Sequence, residues 1–251
     1  MNYKIPKQLL TYNNVKTIKG EKYGWKTYIL YLAPFTQNST GKSVCSHASK
    51  GCAEACLFGS GFGGMFTRVE IGRINKTNYL ILNRDLFIKQ LFSEISFLEA
   101  KSKTLKEKLC IRLNGTSDLA WEKFKINGKS LMEHFPSVQF YDYTKNYLRF
   151  DKILPANYHL TFSRSETNED KVESILAKGH NVAVVFDSLP ETYKGYKVVN
   201  GDLSDLTFLQ PKGVVVGLKY KKMTSKGADN KKAFESGFAL KLKNLEEKVA
   251  A

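Results

Sequence analysis

The chain has 251 residues, of which 42% are hydrophobic and 12% aromatic. This length and composition are typical of a globular protein that buries a sizeable core. The formal charge of +15 indicates a polyanionic partner, either nucleic acid or anionic lipid, although a lysine-rich surface that only keeps the protein soluble would give the same charge.

No apolar run approaches the roughly 20 residues that a membrane-spanning helix needs. Residues 1–6 lack the apolar core of a signal peptide. We therefore expect a cytoplasmic protein without a membrane partner. In that compartment thiols stay reduced, so clustered cysteines are more often metal ligands than disulfide partners.

The order of apolar segments predicts a mixture of strands and helices. The first two dozen residues are polar and basic, and we expect them to be irregular. The segment from Phe66 to about Ala100 has the three- and four-residue apolar spacing of two helices, broken near Asn83. Short apolar runs predict strands at 27–34, 109–113, 138–141, 158–162, 181–186, 196–199 and 213–218.

Strands that alternate with helices predict an α/β fold with a mainly parallel sheet, closed into a complete or incomplete TIM-barrel-like structure. Residues 1–218 would form one barrel-like metal-binding domain. Residues 219–251 would form a basic C-terminal segment, either a helix or a frayed tail. Such a basic run is most often a solvated face, and contact with nucleic acid is the alternative.

Three of the four cysteines lie within twelve residues after the first predicted strand, in the pattern C-x6-C-x3-C formed by Cys45, Cys52 and Cys56. Thiolates are soft ligands that suit iron–sulfur clusters and zinc, and three of them leave one coordination position open. A four-iron cluster could bind a substrate or cofactor at its open iron. Zinc would need His47 or Cys110 to complete a closed site, and three structural cysteines without metal are the third interpretation.

Two neighbouring features are interpreted with the cysteine motif. A glycine-rich run, 59–64, follows it, and we expect Gly61 and Gly63 to let the backbone approach a bound group closely. Cys110 lies inside an apolar strand, so we interpret it first as a core residue and second as a fourth ligand.

Polar side chains follow the ends of the predicted strands. Because parallel strands end at one edge of a sheet, we expect these side chains to surround the cysteine loop. Residues of these types also cap helices and form turns, but a cation has no capping role at a helix N-terminus, so the lysine and the arginine among them could hold a carboxylate or phosphate. The catalytic candidates are Asp118, Lys145 and Arg164, and the cofactor-binding candidates are Gly61, Gly63, Asn114, Ser163 and Asp187.

Several long strings resemble a family of phage proteins named after gene product 88. They occupy residues 16–21, 29–34, 45–56, 112–118, 140–145 and 157–166. The resemblance implies a phage origin and a location in the host cytoplasm. More distantly, a three-cysteine loop after the first strand of an α/β barrel resembles the radical SAM superfamily, whose cluster binds S-adenosylmethionine at its open iron, although that superfamily usually spaces its cysteines C-x3-C-x2-C.

The leading hypothesis is a phage-encoded iron–sulfur enzyme that acts on a nucleotide or nucleic acid. In one form of this hypothesis the enzyme is radical-SAM-like and uses S-adenosylmethionine. One alternative is a non-enzymatic, zinc-containing nucleic-acid-binding protein. Another is a phage inhibitor of a host defence complex, which would have a host protein as its partner.

Overall fold

The computed structural model of the chain describes residues 3–56, 66–223 and 229–249. Its strands are β1 Leu10–Thr11, β2 Trp25–Leu30, β3 Lys108–Arg112, β4 Lys125–Ile126, β5 Lys129–Ser130, β6 Gln139–Thr144, β7 Tyr158–Ser163, β8 Val182–Phe186, β9 Thr192–Tyr193, β10 Tyr196–Asn200, β11 Val215–Lys219 and β12 Ala239–Leu240. Its α-helices are α1 Val15–Glu21, α2 Lys50–Glu54, α3 Thr67–Leu82, α4 Arg84–Leu105, α5 Leu131–His134, α6 Val172–Ala177, α7 Lys232–Glu235 and α8 Leu242–Val249.

The fold is mixed α/β, built on one sheet of ten strands. The strand order is β1-β2-β3-β6-β7-β8-β11-β10-β9, and β12 pairs with β8 beside this path. The sheet is mostly parallel, and its two ends are antiparallel pairs, β1 with β2 and β9 with β10. Strands β4 and β5 form a separate hairpin.

The predicted mainly parallel α/β architecture is therefore confirmed, but no closed barrel is present in the part of the chain that the structure describes. The sheet order runs from β1 to β9, and no pairing between these two strands is found among the described residues. The connection between β8 and the β9–β10 hairpin is too short to contain a crossover helix, which a closed parallel barrel needs between its strands.

The chain divides into two compact units. The first consists of Met1–Ser46, Thr67–Asp142 and Ile153–His159, and the second of His47–Phe66, Tyr143–Lys152 and Leu160–Ala251. The predicted boundary at residue 218 stays a prediction.

The helical segment of the first unit is broken where the sequence predicts. Helix α3 ends at Leu82, and α4 begins after Asn83. The buried positions of α4 recur every three or four residues, which is the period of one helix face, and they are Phe87, Ile88, Leu91, Ile95, Leu98 and Ser102. None of the described helices combines the length and apolarity that crossing a membrane requires.

The N-terminal residues are not irregular, so that prediction is wrong. Leu9 and Leu10 are buried, and α1 begins at a capping box in which Asn14 and Thr17 exchange side-chain-to-backbone hydrogen bonds. This reciprocal cap stabilises a helix whose sequence contains two lysines and a glycine and has little apolar periodicity.

Candidate metal centre

The cysteine motif follows β2. Cys45 belongs to the first unit, and Cys52 and Cys56 belong to the second. All three are partly exposed and form no disulfide, whereas Cys110 is fully buried in β3 with its thiol 3.3 Å from the Thr27 hydroxyl. Cys110 is therefore a core residue, as predicted.

Backbone contacts hold Cys45 in the first unit. The preceding residue, Val44, is 2% exposed, and its N–H donates to the Phe35 carbonyl at 3.3 Å. The Val44 carbonyl accepts a hydrogen bond from the Asp118 N–H at 2.9 Å. The Cys45 thiol lies 3.8 Å from the Thr116 carbonyl. The loop that follows β3, which contains the catalytic candidate Asp118, therefore lies against the start of the cysteine motif.

Cys52 lies in α2, whose first turn is fixed by a carboxylate from after β7. Ser49 caps the helix by accepting a hydrogen bond from the Cys52 N–H at 3.1 Å. The Glu166 carboxylate accepts hydrogen bonds from the Ser49 hydroxyl at 2.9 Å and the Gly51 N–H at 2.8 Å. Glu166 thus satisfies donors that the first turn of a helix leaves unpaired and determines where Cys52 lies within the second unit.

Gly51 is required at this position because other atoms occupy the space of a side chain. A Cβ atom added to Gly51 would lie 2.5 Å from the Ser236 Oγ, 2.8 Å from a Glu166 carboxylate oxygen and 2.9 Å from the Phe238 Cβ. These separations are shorter than van der Waals contact. The C-terminal segment therefore packs directly against the cysteine helix.

A small apolar cluster completes this packing. Ala55, between Cys52 and Cys56, is buried with Ala233 and Ala239 of the C-terminal segment. Partly buried residues pack around them, namely Val185, Tyr220, Phe234 and Phe238. Strand β12 of the same segment pairs with the end of β8, which extends the sheet beyond the point where β7 stops pairing with β8. Part of the predicted basic tail is therefore ordered structure.

Arg164, a catalytic candidate, is buried and holds the C-terminal segment. Its guanidinium donates to the carbonyls of Gly237 and Phe238 and to the Glu169 carboxylate, the last at 2.5 Å. Burial alone would raise the pKa of Glu169, but hydrogen bonds from Tyr193 and Arg164 outweigh it and hold that pKa below its ordinary value. The charge of Arg164 is therefore used within the chain.

Lys145, a second catalytic candidate, is half-buried. Its ammonium group donates to the Ser163 hydroxyl at 2.7 Å and lies 5.3 Å from the centre of the Phe238 ring. The cofactor-binding candidate Ser163 thus contacts Lys145 at the ends of β6 and β7.

Asn114, a cofactor-binding candidate, organises the loop after β3. Its side-chain oxygen accepts hydrogen bonds from the Ser117 hydroxyl, the Leu119 N–H and the Trp121 indole at 2.9–3.0 Å. Its amide nitrogen donates to the Leu119 carbonyl, and its backbone N–H donates to Asp142 at 2.6 Å. The side-chain polar atoms of Asn114 are thus satisfied by the loop that contains Asp118.

Three cofactor-binding candidates remain, namely Asp187, Gly61 and Gly63. Asp187 is exposed, and its carboxylate accepts hydrogen bonds from the N–H groups of Ser188 at 2.6 Å and Leu242 at 2.8 Å, so it caps the start of α8. Gly61 and Gly63 lie outside the described residues.

The three thiols of the cysteine motif are the candidate metal donors. Among the described residues, no group of three or more His, Cys, Asp or Glu side chains is arranged to hold a metal ion. The chemistry of the donor set nevertheless suits an iron–sulfur cluster, since three partly exposed thiols without disulfides lie close together in sequence.

Glu166 is a functional residue that the sequence pattern does not reveal. It follows the fourth predicted strand and holds the cysteine helix. Its partner Gly51 is 115 residues away, and no local pattern reports such a contact. The sequence feature that could have identified Glu166 is its position just after a strand, at the edge where sites form in parallel sheets.

Comparison with known proteins identifies a family for this chain. The family model described as gene product 88 matches residues 8–237. No curated protein and no solved structure matches the chain. These comparisons confirm the resemblance to the phage gene product family and lend no support to the resemblance to radical SAM enzymes. The chain belongs to the gene product 88 family.

Proposed function

We propose that the chain is an iron–sulfur enzyme that acts on a nucleotide or nucleic acid, with Cys45, Cys52 and Cys56 as the ligands of a four-iron cluster. The observation that carries the proposal is the anchoring of the cysteine helix. Glu166, the close approach at Gly51 and the alanine cluster fix its backbone, yet the thiols stay partly exposed. A segment with only a packing role would bury its cysteines, as β3 buries Cys110.

When bound, such a cluster supplies one-electron chemistry and, with three thiolate ligands, one iron that is open to a ligand. In the second unit, Lys145 is the cation best placed to hold a phosphate or carboxylate, with Ser163 as its neighbour. Arg164 acts as a positioning residue, because its guanidinium holds the segment that packs under α2. In the first unit, Asp118 stays the catalytic candidate.

S-adenosylmethionine is the co-substrate that we propose for the open iron. This part rests on the position of a three-cysteine loop after a strand of a parallel α/β sheet. Zinc is the alternative metal. A closed zinc site would need a fourth ligand other than Cys110, since that thiol is fully buried beside Thr27.

Metal analysis of protein purified without oxygen tests the proposal. We expect about four iron and four sulfide per chain and the broad visible absorption of an iron–sulfur cluster. The reduced protein should then consume S-adenosylmethionine. One zinc per chain without sulfide would contradict the proposed cluster, and an iron-loaded protein that leaves S-adenosylmethionine intact would contradict the proposed co-substrate.

A further inference from the structure

The C-terminal part of the second unit presents an aromatic pair on its surface side. The rings of Tyr220 and Phe234 lie 5.1 Å apart, edge to face, and both side chains are only partly buried. The Tyr220 hydroxyl donates to the Asn230 side chain at 2.9 Å, and the Met223 N–H donates to the same oxygen at 2.7 Å. These contacts bring the residues after β11 together with the start of α7.

Lysines flank the two aromatic residues along the chain. Lys222 follows β11, and Lys231 and Lys232 lie at the start of α7. Lys241 lies 5.9 Å from the centre of the Phe234 ring. We call the set of Tyr220, Lys222, Lys231, Lys232, Phe234 and Lys241 the basic–aromatic surface.

The lysines of this surface outnumber its acidic neighbours among the described residues. Asp229 accepts a hydrogen bond from the Lys231 N–H at 3.0 Å, and Glu235 lies in α7. Lys222, Lys231 and Lys232 are exposed and form no ion pair with any residue that the structure describes. The neighbouring Lys221 differs, since it pairs with Asp202 at 3.1 Å. Exposed lysines without acidic partners attract polyanions, and the potential of several such lysines adds up over a small area.

We propose that the basic–aromatic surface binds the sugar–phosphate backbone of a nucleic-acid strand, independently of its sequence. Lysine ammonium groups bind phosphates as point charges, and release of condensed counterions makes such binding favourable at low salt. Partly exposed aromatic side chains beside a basic groove are the second feature of proteins that bind single strands, because bases stack on their rings.

The basic–aromatic surface lies close to the cysteine helix of the candidate metal centre. Tyr220 and Phe234 pack against the same alanine cluster that contains Ala55, between Cys52 and Cys56. A strand bound there would lie beside the cysteine helix of the second unit. This deepens the proposed function, on which it rests for the reaction: the substrate is a polynucleotide rather than a free nucleotide.

Charge-neutralising variants test the proposal on the full chain. Lys222, Lys231 and Lys232 are changed together to glutamine, and binding of a fluorescent single-stranded oligonucleotide is followed by anisotropy across salt concentrations. The matched control changes Lys89, Lys123 and Lys129 to glutamine, since these lysines of the first unit are also exposed and the formal charge falls equally. A third variant replaces Lys222, Lys231 and Lys232 with arginine, and circular dichroism checks that all variants fold.

The slope of the logarithm of the binding constant against the logarithm of the salt concentration should become shallower by about two for the first variant. The reason is that each lost lysine–phosphate contact removes about 0.7 from this slope for single strands. The control and the arginine variant should bind like the unchanged protein, and DNA and RNA oligonucleotides of different sequence should give similar results. If the glutamine variant does not fold, weaker binding by the single variant Lys222→Gln supports the proposal, and unchanged binding overturns it.

Four results overturn the proposal: no oligonucleotide binding, equal losses in the glutamine variant and the control, unchanged binding by the glutamine variant, or lysine-dependent binding to anionic lipid vesicles alone. Iron and sulfide are measured in the same preparations. If protein without iron binds the oligonucleotide through these lysines, the proposed cluster is contradicted and the proposed binding surface is supported. If iron-loaded protein does not bind the oligonucleotide, only the proposed binding surface is contradicted.

Discussion

At the scale of single residues, the cysteine helix depends on the absence of a side chain at Gly51. Its backbone N–H donates to Glu166 at 2.8 Å, and its Cα approaches Ser236 and Phe238 too closely for a Cβ atom. The position of Cys52 is therefore set by its neighbour in sequence and by residues distant in the chain.

We predict that Gly51→Ala lowers the free energy of unfolding by about 1–3 kcal/mol, the usual cost of overpacking a buried site. It should also lower the iron content, because displacement of α2 moves Cys52. The measurements are urea unfolding and metal analysis. Gly72→Ala in α3 is the control, since an added Cβ there meets no atom within 4 Å and alanine favours a helix by up to about 1 kcal/mol. Equal stability of the Gly51→Ala variant and the unchanged protein would contradict the proposed packing.

Whether the role of a candidate residue can be predicted depends on how far along the chain its contacts lie. The burial of Cys110 could be predicted because an apolar strand surrounds it locally. The sequence pattern predicts a cation at position 164 that could hold an anionic ligand, whereas in the structure its guanidinium holds carbonyls 73 and 74 residues further along the chain. A sequence pattern cannot distinguish these two uses of an arginine.

At the scale of elements, the C-terminal segment is held by an ion pair that responds to pH. Arg164 binds the carbonyls that precede β12, and Glu169 binds Arg164. Because the pKa of Glu169 is lowered by folding, its contribution to stability is fully present above its ordinary pKa of 4.5 and is lost as the pH falls through the folded-state pKa.

We predict that Glu169→Gln lowers the free energy of unfolding by about 1.5–3 kcal/mol at neutral pH, the usual value of a hydrogen bond to a charged group. The difference from the unchanged protein should shrink below pH 4.5. Urea unfolding at a series of pH values measures both effects. Glu235→Gln is the control, because Glu235 is exposed and forms no ion pair in the described part of the second unit. A difference that stays constant into acid would contradict the role of the charge.

At the scale of the whole molecule, the sequence predicts the α/β class and most strands of the sheet. Short apolar runs mark β3, β8 and β11 because parallel strands are buried on both faces. The two-residue strands β1, β9 and β12 are too short for a periodic signal. These strands include β1 and β9, the two ends of the strand order. The sequence pattern therefore does not show whether the sheet closes into a barrel.

The most direct test of the central claim is the iron content of four single Cys→Ser variants, each purified without oxygen. We predict that Cys45→Ser, Cys52→Ser and Cys56→Ser lose most of their iron and sulfide, because each removes one thiolate from the cluster. Cys110→Ser should keep the iron of the unchanged protein, since that thiol contacts Thr27 in the core. Full iron in any of the first three variants, or iron loss in a folded Cys110→Ser variant, would contradict the proposed ligand set.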